Sequence, residues 1–301
     1  MIDPLFLATA GANVALVYEN LYLDTVEDIT RRIVKALRET GGLTLTPTAM
    51  YQVERLIASG MPLAEIERRV TQLINADPQY RFITGNMTAE LNANLSRYIG
   101  EARRQSVIEV RQLFQDVALQ TYLADNVIAW QVGRELIHPD QSPFIQRIIT
   151  ARIEGVNTSL ENLTGSFNTN TLTRFNEILG NAYIKTVSGA FSYTQAVNAA
   201  VDEIARAGVG KATYKSGRSI AIEAAVYLTC RTSAVQTAGV ISLRNARELG
   251  ADLIYVSAHA GARNKDVAGR PWANHEKFQG KVFHINWNEY DAKGGDMIEY
   301  R

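Results

Sequence analysis

The chain has 301 residues, 46% of them hydrophobic and 21% charged. That composition excludes a disordered chain and suffices for one sizeable core or two smaller ones. Lys plus Arg number 31 and Asp plus Glu 31, giving a formal net charge of zero, whereas a general nucleic-acid binder carries a basic excess to neutralise phosphates.

No run of 18 or more apolar residues occurs, so no membrane span is expected. The start, Met1-Ile2-Asp3-Pro4-Leu5-Phe6-Leu7, lacks the basic region and long apolar stretch of a signal peptide. The single cysteine, Cys230, lies in an apolar helical stretch and can form neither an internal disulfide nor a zinc cluster. A small buried hydrophobe is expected there rather than a nucleophile, which fits a reducing cytoplasm.

Along the chain, Val26, Ile29, Ile33 and Leu37 share one helical face, with Thr25 and Asp28 as a capping-box-like start and Gly41-Gly42 as the stop. Thr46 is expected to cap a second helix with Pro47 in its first turn, carrying Met50, Val53 and Ile57 and ending by Gly60. A third carries Leu63, Ile66, Val70 and Leu73-Ile74 and closes before Asp77-Pro78. From Thr88 to about Leu136 the stripe Leu91, Leu95, Ile99, Ala102, Val110, Leu113, Val117 and Thr121 predicts one long amphipathic helix, or two with a soft break. His138-Pro139-Asp140 breaks it, because the residue before proline avoids the α region.

Ser142-Pro143 restarts a helix through Leu163, and Gly165-Ser166 is expected to separate it from another over 172–187. Ser192 and Gln195 form a second capping box before Val197, Val201 and Ile204, with a stop at Gly208. Residues 211–215 suit a short strand, and Arg218 to Leu249 reads as one helix rich in small residues. Asp252–Ser257 and Gly280–Ile285 have strand chemistry and predict a small antiparallel or mixed sheet. The fold class is therefore mainly α with a C-terminal α+β domain. We place the boundary near Ala190, giving a helical region over 1–189 and an α+β domain over 190–301.

Between the last two strands lie over twenty residues without periodicity, and three of the four histidines, His259, His275 and His284, sit in or just past them. A metal site of His259 and His275 with Glu276 or His284 is one reading, but neither HExxH nor a paired-Cys motif is present. Acid–base work by His259 with Asp252 or Glu248 is another; no nucleophile motif, phosphate loop or paired-carboxylate signature accompanies it. The plainer expectation is a loop folded on itself, with Trp272 and Phe278 as its small core and no cofactor. Arg231 and Gln236 either orient that loop or lie on a solvated helical face, as do Thr232 and Thr237. Arg97, Arg103, Arg104 and Arg111 could meet DNA phosphates, yet Glu101 and Glu109 interleave with them and favour local ion pairs.

Several segments resemble the phage minor capsid protein 2 family. Near the start they are Glu19-Asn20-Leu21-Tyr22, Asp28-Ile29-Thr30-Arg31-Arg32-Ile33, Gly42-Leu43-Thr44 and Thr48-Ala49-Met50-Tyr51-Gln52-Val53-Glu54-Arg55-Leu56. Further on come Ser188-Gly189-Ala190-Phe191-Ser192-Tyr193, Tyr214-Lys215-Ser216-Gly217-Arg218, Glu223-Ala224-Ala225-Val226 and Glu248-Leu249-Gly250-Ala251-Asp252-Leu253. Val256-Ser257-Ala258-His259-Ala260-Gly261-Ala262-Arg263 and Phe278-Gln279-Gly280-Lys281-Val282-Phe283 complete the set. His-Ala-Gly-Ala-Arg together with Gln-Gly-Lys-Val-Phe is the specific part, and residues 80–185 match only as generic helix. The C-terminal part is more distantly similar to Mu-F-type head-morphogenesis proteins. Asn264 to Gly269 look inserted relative to the family pattern, and relatives continue past the position of Arg301 into an Asn-Cys-Arg-His segment that is not present here.

The resemblance implies a low-copy virion protein, assembled in the host cytoplasm beside the portal protein and acting in head assembly or genome packaging and ejection. Implied partners are the portal protein, the major capsid protein and packaged DNA, with no membrane and an oligomeric state set by the portal. Arg218, His259, Arg263, Trp272, His275, Phe278 and Gly280 are expected to shape a structural loop, with no catalytic residue and no metal. The rival expectations are a hydrolase or toxin-like domain using His259 and His275, and an ejected DNA-binding protein using Arg103 and Arg104.

Overall fold

Thr46 and Asp77 show how local chemistry sets the helix boundaries. Thr46 accepts a hydrogen bond from the Ala49 amide (3.4 Å) and Pro47 opens helix α3, so cap and proline stand where the sequence puts them. The Asp77 carboxylate takes the Gln79 and Tyr80 amides at 3.0 Å on one oxygen. Its other oxygen takes the Thr46 amide (2.9 Å) and hydroxyl (2.6 Å). One aspartate thus caps one helix and ties it to the start of another.

The computed structural model describes residues 2–38, 45–188, 190–206, 209–214, 216–256, 264–265 and 274–288. Its helices are α1 (Pro4–Thr9), α2 (Ala12–Arg38), α3 (Pro47–Ile57), α4 (Leu63–Ala76), α5 (Pro78–Gln131), α6 (Pro143–Val187), α7 (Tyr193–Arg206) and α8 (Ile222–Glu248). Strands β1 (Lys211–Thr213) and β2 (Ser219–Ala221) pair antiparallel, and so do β3 (Leu253–Val256) and β4 (Lys281–His284). The chain is thus mainly α with a small α+β part, as the sequence predicts. By contacts it divides into a larger unit, Pro4–Asp116 with Ile148–Val235, and a smaller one, Met1–Asp3 with Val117–Arg147 and Gln236–Arg301.

In the larger unit the 3.6-residue period carries the core. Tyr18, Ile29 and Ile33 of α2, Leu91, Leu95 and Phe114 of α5, and Leu160, Phe167 and Phe175 of α6 are buried. Polar pins set the register between these helices. Asp28 accepts from Arg32 Nε (3.1 Å) and Asn94 Nδ2 (2.9 Å), and Arg32 reaches Glu90 at 2.9 Å. Gly11, at φ 90°, joins α1 to α2, and a Cβ there would collide with the Cβ of Cys230. Cys230 is buried, and burial pushes its thiol up to about 12, so the expected inert hydrophobe is what the fold contains.

Four boundaries differ from the sequence reading. Thr25 and Asp28 do not start a helix; α2 already runs from Ala12, and Thr25 donates to the Leu21 carbonyl (2.7 Å) from the helix interior. The long helix begins at Pro78 rather than Thr88 and is unbroken to Gln131. Gly165-Ser166 does not interrupt α6, because one helical glycine costs only about 1 kcal/mol and buried Leu163 and Phe167 on either side more than offset it. Arg218 precedes a strand rather than a helix: Ser219–Ala221 pairs with β1, and α8 starts at Ile222. The capping box at Ser192, by contrast, forms in both directions. Ser192 N donates to Gln195 Oε1 (2.8 Å) and Gln195 N donates to Ser192 Oγ (3.3 Å).

Candidate functional site

The smaller unit holds the described part of the histidine-bearing segment. Helix α8 ends in Gly250 at φ 72°, with the Ala251 amide returning to the Ala246 carbonyl. Arg134 Nη1 donates to the carbonyls of Leu249 (2.8 Å) and Glu248 (3.3 Å), placing a cation on the negative end of the helix. Asn245 Nδ2 donates to Asp125 on α5 at 3.0 Å. Past the helix, Trp287 Nε1 donates to the Ala251 carbonyl (3.0 Å) under the Arg247 guanidinium, and buried Ile285 donates its amide to the Asp252 carbonyl (2.7 Å).

On that base stands the β3–β4 hairpin, in register Leu253 with His284, Ile254 with Phe283, Tyr255 with Val282 and Val256 with Lys281. Gly280, at φ 68°, donates its amide to the Val256 carbonyl (2.8 Å), so the turn into β4 needs a residue that tolerates the left-handed region. Phe278 packs on Phe283, ring centroids 6.2 Å apart. Asn274, itself buried, caps the short 3-10 turn His275–Lys277 by accepting from the Glu276 amide (3.2 Å). His275 is exposed on that turn. His284 Nε2 lies 3.0 Å from Asp252 Oδ2, both side chains more than half exposed.

Of the expected loop residues, the structure brings Phe278 and Gly280 together at the hairpin, with His275 just before them. His259, Arg263 and Trp272 lie outside the described residues. Arg218 belongs to the larger unit, exposed beside Gly217 in the β1–β2 turn, where its carbonyl accepts from the Tyr214 amide at 2.9 Å. Asp252, named as a partner for His259, faces His284, and Glu248 accepts from Arg244 Nε at 2.8 Å. Among the described residues no group of three or more His, Cys, Asp or Glu is placed to hold a metal ion. Arg103 points Nη2 at the Thr164 hydroxyl of α6 (3.1 Å), Arg97 pairs with Glu101 at 3.3 Å, and Arg104 is exposed. Arg231 and Thr232 are exposed on α8 and Thr237 is buried.

Sequence reasoning missed Arg134 and Asn126. Asn126 Oδ1 accepts the Leu136 amide (3.1 Å) and its Nδ2 donates to Tyr122 Oη (3.3 Å), closing the turn that follows α5. A polar residue inside an apolar helical run, ten positions before the backbone it holds, carries no local signal.

Taken together, the described residues define a protein of long helices carrying a small, largely exposed β-hairpin, and none of its helices is long and apolar enough to cross a membrane. Residues 63–295 match the profile of phage minor capsid protein 2, most of the chain, and the chain belongs to that family. It is accordingly a structural protein of the phage head, a component of the virion that interacts with other head components. No curated protein and no solved structure matches it.

Proposed function

We propose that the protein is a low-copy, non-catalytic component of the portal vertex, docking on the portal protein and the major capsid protein and acting in head assembly or genome packaging and ejection. The observation that carries this reading is the family match over 63–295. Two physical features support it. Helix α5 leaves large apolar side chains such as Phe82 and Ile108 exposed, and helical surfaces of that kind suit shape-matched docking on other helices. A net charge of zero keeps a protein next to packaged DNA from coating itself with it.

In this reading residues 190–301 form the working C-terminal part. His259, Arg263, Trp272, His275, Phe278 and Gly280 serve contact there rather than chemistry, and Arg218 does so separately in the larger unit. Contact with packaged DNA falls to exposed Arg104 more than to Arg103, whose guanidinium is engaged with Thr164.

Mass spectrometry of purified virions, with a cryo-EM map of the portal vertex, tests the proposal. The chain is expected in low copy at that vertex. Virions lacking it would overturn the reading, and so would stoichiometric zinc with a substrate turnover abolished by His259→Ala.

A further inference from the structure

Within the larger unit, the end of α4, the opening turns of α5 and a stretch of α6 enclose a polar cleft of about 440 Å³. Tyr80, Arg81, Thr84 and Thr88 line it from one face of α5, at spacings of three and four. Asn75 contributes from α4 and Asn176 from α6. Gly85 adds open floor, since a Cβ there would meet nothing within 4 Å among the described residues.

Tyr80 is the residue that points to a ligand. Only 6% of it is exposed and its ring stacks on Tyr183 (centroids 5.2 Å apart), yet its hydroxyl bonds to no described residue. Buried polar groups are nearly always hydrogen-bonded, so an open cleft beside a buried, unbonded hydroxyl asks for a partner from outside the chain. Gly180 leaves that hydroxyl uncrowded: a Cβ there would stand 3.6 Å from it. Burial pushes the hydroxyl up to about 12, so it remains a donor at neutral pH.

The rest of the lining is rich in donors. The Arg81 guanidinium is exposed and makes no ion pair with a described residue. The Thr88 hydroxyl donates to Asn176 Oδ1 (2.6 Å), which leaves the Asn176 amide nitrogen unspent, and the Thr84 hydroxyl donates to the Tyr80 carbonyl (2.8 Å). Both threonines keep lone pairs to accept with. No Asp or Glu lines the cleft, and Asp77 at the head of α5 has its oxygens turned to donors from Thr46, Gln79 and Tyr80.

We propose that this cleft binds a sugar phosphate. The phosphate sits between the Arg81 guanidinium, whose planar fork matches it, and the Tyr80 hydroxyl. Sugar hydroxyls meet Thr84, Thr88 and the two asparagines, and the volume suits a small organic ligand better than a bare phosphate. The same group could arrive as a free sugar phosphate or as the phosphorylated end of a DNA strand.

Calorimetric titration of the full chain with ribose 5-phosphate, ribose and inorganic phosphate tests the site. Ribose 5-phosphate should bind one per chain, inorganic phosphate more weakly, and ribose without measurable heat. Tyr80→Phe should weaken ribose 5-phosphate about tenfold and Arg81→Gln about tenfold to a hundredfold. Without ligand, Tyr80→Phe should melt no lower than the parent, because it keeps the stacked ring and removes a hydroxyl that holds nothing. Competition by a 5′-phosphorylated oligothymidylate but not by its 5′-hydroxyl form would assign the source to a DNA end; competition by neither would assign it to a free sugar phosphate. No binding at millimolar concentration overturns the proposal, as does ribose binding as well as its phosphate, or an affinity that both substitutions leave untouched. A lower melt for ligand-free Tyr80→Phe also overturns it, since the hydroxyl would then be engaged within the fold. Inorganic phosphate binding as tightly as ribose 5-phosphate would overturn the sugar half.

Discussion

The larger helical unit and the β3–β4 hairpin use their apolar residues in opposite ways. In the first, Phe114, Phe167 and Phe175 are fully buried where helices meet, and polar ties such as Asp28 to Asn94 fix the register. In the second, Leu253, Tyr255 and Val282 stand outward on a two-stranded sheet, and Phe278 packs on Phe283. Two strands alone are marginal in water, so the hairpin relies on what its base gives it: the Trp287 and Ile285 hydrogen bonds to residues just past α8. The difference teaches that stability is concentrated in the helices, while the hairpin is held at its root and displays surface, an arrangement suited to a contact element of a head protein.

Substitution of equivalent aromatics gives the largest contrast. Phe167→Ala empties a fully buried site and should cost about 3–5 kcal/mol, read as a lowered urea midpoint with an unchanged slope. Phe283→Ala removes a half-buried ring and should cost under about 2 kcal/mol. Equal losses would break the comparison, because they would mean that the hairpin is packed as tightly as the helices.

Two glycines sharpen it at the next level. Gly11 and Gly280 both sit in the left-handed region, so alanine costs each of them about 1 kcal/mol of backbone strain. Gly11→Ala also drives a methyl into Cys230, adding about 1–3 kcal/mol, whereas a Cβ on Gly280 would meet nothing within 4 Å among the described residues. Thermal melts should therefore show the larger drop for Gly11→Ala.

Asp77 gives a smaller effect with a pH signature. Burial works to raise its carboxyl, but the bonds from Thr46, Tyr80 and Gln79 outweigh burial and hold it below the usual range. Because the folded value lies below the unfolded one of about 3.9, this stabilisation is complete above pH ~4 and is lost as pH falls through the folded value. Asp77→Asn should cost about 1 kcal/mol at neutral pH and flatten the acid limb of the stability curve. An unaltered acid limb would sink the assignment.

Much of this was legible in the residues, and the exceptions have physical reasons. Thr46-Pro47 and Ser192 with Gln195 announced their helices because capping is local chemistry. The same local rule failed at Thr25 and Asp28, where the stripe already begins upstream with buried Val14, Tyr18 and Leu21 and tertiary burial decides. Gly165 failed as a breaker for that reason too. β2 was missed because Ser219–Ala221 is a strand only through its pairing with Lys211–Thr213, a relation that no window of sequence displays. At the hairpin, the strands and Gly280 could be read directly, whereas the Asp252 to His284 pair and the Arg134 cap join positions far apart in the chain.

The smallest expected effect is the sharpest test of what the hairpin displays. Val282 is 60% exposed and pairs with Tyr255 on the outward face. Val282→Thr keeps the β-branch, so strand propensity and rotamer preference hardly change, and exchanges a methyl for a hydroxyl that water can satisfy. In the isolated protein the change should lie within about 0.5 kcal/mol by chemical denaturation. A loss above about 1 kcal/mol would mean that a hydroxyl has been buried without a partner, and hence that this face is covered in the free chain and is not a displayed surface.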